Sequence, residues 1–197
     1  MAAGIIWYAA VVLVWVALLD YVIAWWRRPG EIVTAATLGA VLCVAVMFTV
    51  LTPPTYTAID ELLGVPNVSR LLADYMLVLL AWALQPILAH FSDPEGRRGK
   101  VAKAPGVLIV LLVMTVLFAL APVDRTNPRN FAVAFAGRPW VLEYTLVAML
   151  LPALTAGRFL LVAYPLSREV SDPSLRRRQY LQTLGWAFGL AYTLHQC

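Results

Sequence analysis

Apolar runs of 17 to 25 residues recur along this sequence, with short polar gaps between them. A helix needs about 20 mostly apolar residues to cross the hydrocarbon core of a bilayer. We therefore predict an all-α integral membrane protein, with one domain over residues 1–197 that forms a bundle of six transmembrane helices. The predicted spans are residues 5–25, 32–51, 71–91, 105–122, 140–164 and 180–196, of which the last is the shortest.

The composition excludes a soluble domain. Of the 197 residues, 61% are hydrophobic and only 13% are charged, whereas a soluble domain carries about 25% charged residues. The first run has no Lys or Arg before it and no small-residue cleavage pattern after it, which indicates a retained span rather than a signal peptide. These features predict a multi-pass protein of the cell (cytoplasmic) membrane that has the lipid bilayer as its partner.

The distribution of Lys and Arg predicts the orientation of the spans. The loops that follow spans one, three and five contain ten of these residues, and the opposite side contains four. Lys and Arg accumulate on the cytoplasmic side of membrane proteins. We therefore expect the N-terminus to lie outside the cell.

The sequence gives no support for nucleic-acid binding or for catalysis. The net charge of +4 is scattered over short gaps and forms no continuous basic face. Neither the two histidines, His90 and His195, nor the two cysteines, Cys43 and Cys197, form a metal or redox motif. Nucleophile, phosphate-binding and dinucleotide motifs are also missing from the sequence. We predict no catalytic residue, no metal and no cofactor, and we favour a role other than an enzyme.

The segment Ala58–Asp74 is the polar stretch with the clearest internal pattern. Asn67 is expected to cap a new helix by accepting hydrogen bonds from backbone N–H groups two or three residues further on. Arg70 and Asp74 are four residues apart, so they are expected to pair on one face of that helix. Asp60 precedes the turn, within reach of Arg70. One interpretation is a well-capped helix start at the membrane surface; the other is a ligand-binding site of Asp60, Asn67, Arg70 and Asp74 at the outer mouth of the bundle.

Ionisable and polar residues inside a bilayer are the default candidates for function. The others here are Asp20, Gln85, Glu143 and Arg158. The charged ones lie near the predicted ends of their spans, which disfavours a transporter with a carboxylate at the midplane. A carboxylate in a first helical turn is favoured by the helix dipole, so a structural role is expected for Glu143 and also for Asp74.

Prolines and glycines inside the runs predict local geometry. Pro86 and Pro152 each remove a backbone donor and are expected to kink the third and fifth spans. Gly185 and Gly189 form a Gly-x-x-x-Gly pattern, which lets two helices approach closely. We expect this pair to pack inside the bundle; contact with a partner protein is the alternative.

Two tracts resemble the membrane half of an uncharacterised actinobacterial family that is labelled as a transporter. They are residues 64–72, Gly-Val-Pro-Asn-Val-Ser-Arg-Leu-Leu, and residues 172–177, Asp-Pro-Ser-Leu-Arg-Arg, which lead into a helix ending Gly-Leu-Ala-Tyr at residues 189–192. The resemblance implies a bundle of about seven spans followed by a cytoplasmic portion. This chain stops after the sixth predicted span, which suggests a fragment of a longer protein or a split gene; a self-contained six-helix protein is the alternative.

Two function hypotheses follow. The first is a membrane-embedded sensory or transport-like component that responds to a small or lipidic ligand from the outer side, through Asp60, Asn67, Arg70 and Asp74. The second is a non-catalytic structural membrane subunit that assembles with a membrane or cytoplasmic protein through the face of Gly185 and Gly189.

Overall fold

The regular elements of the protein are all α-helices in the part of the chain that the computed structural model describes, residues 2–27, 30–92, 104–123, 131–135 and 137–169. The all-α prediction is confirmed for those residues. The helices are α1 (Ala2–Arg27), α2 (Ile32–Val50), α3 (Pro53–Leu63), α4 (Val68–Ala83), α5 (Gln85–Ser92), α6 (Ala104–Leu120), α7 (Phe131–Ala134) and α8 (Val141–Glu169).

Four helical segments are long and apolar enough to cross a membrane: Trp7–Arg27, Ile32–Val50, Val68–His90 and Val141–Val162. They correspond to the predicted spans one, two, three and five. The predicted fourth span is α6, whose apolar part, Pro105–Leu120, is shorter than those four. The predicted sixth span, residues 180–196, lies outside the described residues.

Helix α3 lies before Asn67, where the sequence predicts no helix. Two prolines occupy its first positions, where their missing N–H groups cost no helical hydrogen bond. Gly64 ends it in the left-handed conformation, with φ of 66°, which glycine adopts without a steric penalty. Tyr56 and Asp60 lie four residues apart on its buried face. Hydropathy did not predict this helix because, at 11 residues, it is too short to cross a membrane.

Contacts between the ends of the helices give their directions. Trp7, near the start of α1, donates to Thr52, just beyond the end of α2 (3.4 Å), so α1 and α2 are antiparallel. A Cβ at Gly39, early in α2, would lie 3.8 Å from that of Ala83 at the end of α4, so these helices are antiparallel too. Helix α4 lies at the centre, packed against α2, α3, α6 and α8.

The α6 and α8 helices also pack against α4. An aromatic cluster joins the end of α6 to the start of α8, with the rings of Phe118 and Tyr144 5.8 Å apart and Phe131 of α7 against both. Helix α6 therefore runs antiparallel to α8. The outward face of α8 carries an exposed leucine on every turn over four turns: Leu142, Leu146, Leu150 and Leu154. Apolar surfaces of this extent mark contact with lipid or with another protein.

The third predicted span is interrupted near its C-terminal end. Helix α4 ends at Ala83 and α5 begins at Gln85, just before Pro86, which has no N–H to donate to the preceding turn. A break is therefore observed where the sequence predicts a kink. By contrast, α8 continues through Pro152 without an interruption.

Candidate functional site

The first turn of α4 is capped by a carboxylate from α3. The Asp60 carboxylate accepts hydrogen bonds from the backbone N–H of Asn67 at 2.6 Å and from that of Ser69 at 2.9 Å. Both N–H groups belong to the set that has no partner within an α-helix. The negative charge also faces the positive end of the α4 dipole. Asp60 is almost fully buried, so this cap is formed in the interior and not at the surface.

The prediction that Asn67 caps α4 with its own side chain is wrong. Asn67 makes no side-chain cap and takes a left-handed conformation, with φ of 60°, which asparagine tolerates better than most residues. Its side-chain oxygen accepts a hydrogen bond from the Tyr56 hydroxyl at 2.9 Å. The predicted cap fails because α3 brings Asp60, seven residues earlier, to the N–H of Ser69, which is one of the two groups that the Asn67 side chain is predicted to cap.

Two further hydrogen bonds tie α3 to the start of α4. The Ser69 hydroxyl donates to the Tyr56 carbonyl at 2.8 Å, next to the bond between Tyr56 and Asn67. Burial, and then the negative charge of Asp60, raise the pKa of the Tyr56 phenol above its ordinary value. Tyr56 therefore remains a neutral donor. The α3–α4 junction is a network of hydrogen bonds in which Tyr56 and Asp60 of α3 contact Asn67 and Ser69 at the start of α4.

The Arg70–Asp74 pair forms as predicted and gains a third member. Arg70 Nε lies 3.0 Å from Asp74 Oδ2, and the Tyr144 hydroxyl of α8 donates to the same oxygen at 2.8 Å. Helix α4 begins at Val68, so Asp74 lies beyond its first turn, and the predicted first-turn location is wrong. A nearly fully buried carboxylate is stable here because two donors converge on it.

A second polar contact joins α5 to α8 deeper in the bundle. The Gln85 amide donates to the Ala81 carbonyl at 3.2 Å and to the Thr155 hydroxyl oxygen at 3.0 Å. Gln85 and Thr155 are both buried. In each helix this contact comes 11 residues after the Asp74–Tyr144 contact, so the two lie about 16 Å apart at a rise of 1.5 Å per residue. We call Asp74–Tyr144, at the end of the bundle where α4 and α8 begin, the outer rung, and Gln85–Thr155, further from that end, the inner rung. They show that α4 and α8 are parallel.

A cavity of about 460 Å³ extends from the outer rung to Thr155 of the inner rung. Arg70 and Asp74 line one end and Thr155 lines the other. Apolar side chains of α2, α4 and α8 form most of the wall between them, together with Trp7 of α1; among them are Phe48, Leu77, Leu80, Leu84 and Met149. A pocket of this kind, mostly apolar with a few polar groups, is typical of a small-molecule site.

The predicted site residues divide between these features. Asp60 and Asn67 belong to the α3–α4 junction, whereas Arg70 and Asp74 reach the cavity. Asp20, Glu143 and Arg158 are exposed on α1 and α8, and Glu143 lies in the first turn of α8, as predicted. Gly185 and Gly189 lie outside the described residues. Within the described residues, no group of three or more His, Cys, Asp and Glu is placed to hold a metal ion.

Four residues of these networks were missed from the sequence: Tyr56, Ser69, Tyr144 and Thr155. For Tyr144 and Thr155 a signal existed, because they repeat in the fifth predicted span the 11-residue spacing of Asp74 and Gln85 in the third. Tyr56 and Ser69 carried none, since their roles depend on the fold of α3.

Comparisons with protein-family models, with curated proteins and with solved structures find no match for this chain. The resemblance to the actinobacterial family therefore stays a prediction.

Proposed function

We propose that this protein is a membrane-embedded sensory or transport-like component that binds a lipidic ligand in the cavity between α2, α4 and α8. The observation that carries the proposal is the cavity itself, which has a nearly continuous apolar wall and a polar group at each end.

The chemistry of the wall favours an uncharged, chain-like molecule. Leu77 and Leu80 of α4, with Leu84 directly after its end, offer an apolar track about 10 Å long. The charges of Arg70 and Asp74 compensate one another at the outer end. A ligand with a net charge would therefore find no single opposite charge there, whereas an apolar chain gains free energy along the track.

The bilayer is the natural source of such a ligand. We propose that the chain crosses the membrane six times with its N-terminus outside, as the ten-to-four distribution of Lys and Arg favours. The Arg70–Asp74 end of the cavity then faces the outer leaflet. In the described residues, α2 and α8 both pack on α4 but hardly on each other, which favours lateral entry between them.

Filling the cavity tests this function. Leu77→Trp places a larger side chain in the cavity, and Leu150→Trp makes the same change on the outer face of α8, where Leu150 is 60% exposed. We expect a lipid to co-purify with the wild type and with Leu150→Trp, at close to one per protein, and to be lost from Leu77→Trp. The measurement is mass spectrometry of lipid extracts from the purified proteins. Equal lipid content in all three proteins would contradict a cavity ligand.

A further inference from the structure

Thr155 differs from the other buried threonines of the described residues in that its hydroxyl proton is not donated to the carbonyl four residues earlier. It is 2% exposed and lines the inner end of the cavity. Six described threonines donate to the carbonyl four residues earlier, among them the buried Thr145, which donates to Val141 at 2.8 Å; the others are Thr37, Thr49, Thr52, Thr57 and Thr115. Thr155 makes no such bond within the described part of the chain, where its oxygen only accepts from Gln85.

Gln85 cannot take the Thr155 proton in this arrangement. Its amide nitrogen donates to the Ala81 carbonyl as well as to Thr155. A backbone carbonyl only accepts, so Ala81 fixes which end of the Gln85 amide carries the protons. The atom of Gln85 next to Thr155 is therefore a donor. The Thr155 hydroxyl is left as a donor on the cavity wall without an acceptor among the described residues.

We propose that Thr155 is the specificity residue of this cavity and donates a hydrogen bond to the carbonyl oxygen of a neutral, largely apolar ligand. The inference rests on the proposed function and adds the class of ligand, a long-chain ketone or ester. Buried donors are almost always paired, and the surrounding wall offers nothing to balance a charge. A carbonyl oxygen accepts this proton without carrying a charge or a proton of its own, and it leaves the rest of the molecule in apolar surroundings.

The experiment uses 2-tetradecanone labelled with ¹³C at its carbonyl, added to the full chain in lipid nanodiscs. A carbonyl that accepts a hydrogen bond absorbs at a lower infrared frequency than one dissolved in lipid. We expect a second, lower-frequency ketone band with the wild type and its disappearance in Thr155→Val, which keeps the shape of the side chain and removes the donor. Thr145→Val is the matched control and should keep the band. Thr155→Ser retains a hydroxyl and should keep it as well.

Binding is followed in the same samples by the shift in thermal unfolding midpoint, with tetradecane as the ligand that lacks the oxygen. We expect the ketone to bind the wild type about 10-fold more tightly than it binds Thr155→Val, the effect of one hydrogen bond. Tetradecane should not distinguish these two proteins.

The outcomes separate the two proposals. If both compounds stabilise the wild type but not Leu77→Trp, and no shifted band is seen, the cavity binds lipid and the role of Thr155 is wrong. A shifted band that persists in Thr155→Val also overturns it. If neither compound stabilises the wild type, the proposed function fails together with the inference, as it would if another part of the chain filled the cavity.

Discussion

Asp60 is the residue on which the α3–α4 junction depends. Its two carboxylate oxygens each accept from a different backbone N–H of the first turn of α4. These N–H groups are buried, since Asn67 and Ser69 have no exposed surface. Water therefore cannot replace the carboxylate, which distinguishes this cap from an ordinary surface cap.

Replacement of Asp60 by alanine should destabilise the protein by about 2–4 kcal/mol, because two buried N–H groups lose a charged acceptor. Asp60→Asn should cost less, since the amide oxygen can still accept one bond. Glu61→Ala, at the exposed neighbouring position, should stay within about 0.5 kcal/mol of the wild type. Unfolding by SDS titration in mixed micelles gives these free energies. Equal losses for Asp60→Ala and Glu61→Ala would contradict the cap.

At the residue scale, contacts between residues close in sequence could be predicted, whereas contacts between different helices could not. The Arg70–Asp74 pair follows from a four-residue spacing on one helix, and it is present. The hydrogen-bond partner of Asn67 could not be inferred. Whether the side chain of Asn67 or that of Asp60 accepts from the first N–H groups of α4 depends on where α3 ends. That end depends on the left-handed turn at Gly64.

At the scale of the elements, the outer and inner rungs fix how α8 lies along α4. Each rung joins residues 70 positions apart in sequence. A shift of α8 by one turn would break both rungs at once and leave buried polar groups unpaired. The limits of α2 were predictable from hydropathy to within one residue, whereas α8 extends five residues beyond the predicted end of the fifth span. The break between α4 and α5 could be predicted from Pro86 alone. The rungs could not be predicted without knowing how α8 packs on α4 and α5.

The rungs should act independently of each other. Combining Tyr144→Phe with Thr155→Val should lower the unfolding free energy by the sum of the single effects, within about 0.5 kcal/mol, because sites this far apart are usually additive. Combining Tyr144→Phe with Asp74→Asn should instead show a coupling of about 0.6–1.7 kcal/mol, as for hydrogen bonds between membrane helices. A double-mutant cycle by SDS titration measures both. Coupling across the rungs and none within the outer rung would refute this arrangement.

At the scale of the whole molecule, two acidic residues mark opposite ends of the bundle. Glu61 is exposed on α3, at the end where α1, α4 and α8 begin. Glu31 is exposed next to the start of α2, at the other end. Of the helices that cross between these ends, α1, α4 and α8 run in one direction and α2 and α6 in the other. This alternation follows the order of the chain, as repeated crossing of a membrane requires.

Single cysteines at these two positions test the orientation. In a background with Cys43 and Cys197 replaced, Glu61→Cys should react with a membrane-impermeant maleimide in intact cells. Glu31→Cys should react only after the cells are permeabilised. The readout is the mass shift on a gel. The reverse pattern would place the N-terminus inside, and reaction of both sites in intact cells would rule out a membrane between them.

The two rungs also determine the order in which the protein can be assembled during synthesis. When α4 leaves the ribosome, Tyr144 and Thr155 have not yet been made, so both polar side chains of the third span enter the bilayer without them. Each has a provisional partner on its own segment, since Asp74 pairs with Arg70 and Gln85 donates to the Ala81 carbonyl. These local bonds lower the free-energy cost of placing Asp74 and Gln85 in lipid until α8 is inserted. The cavity can therefore form only after α8 has been inserted, because α8 supplies part of its wall.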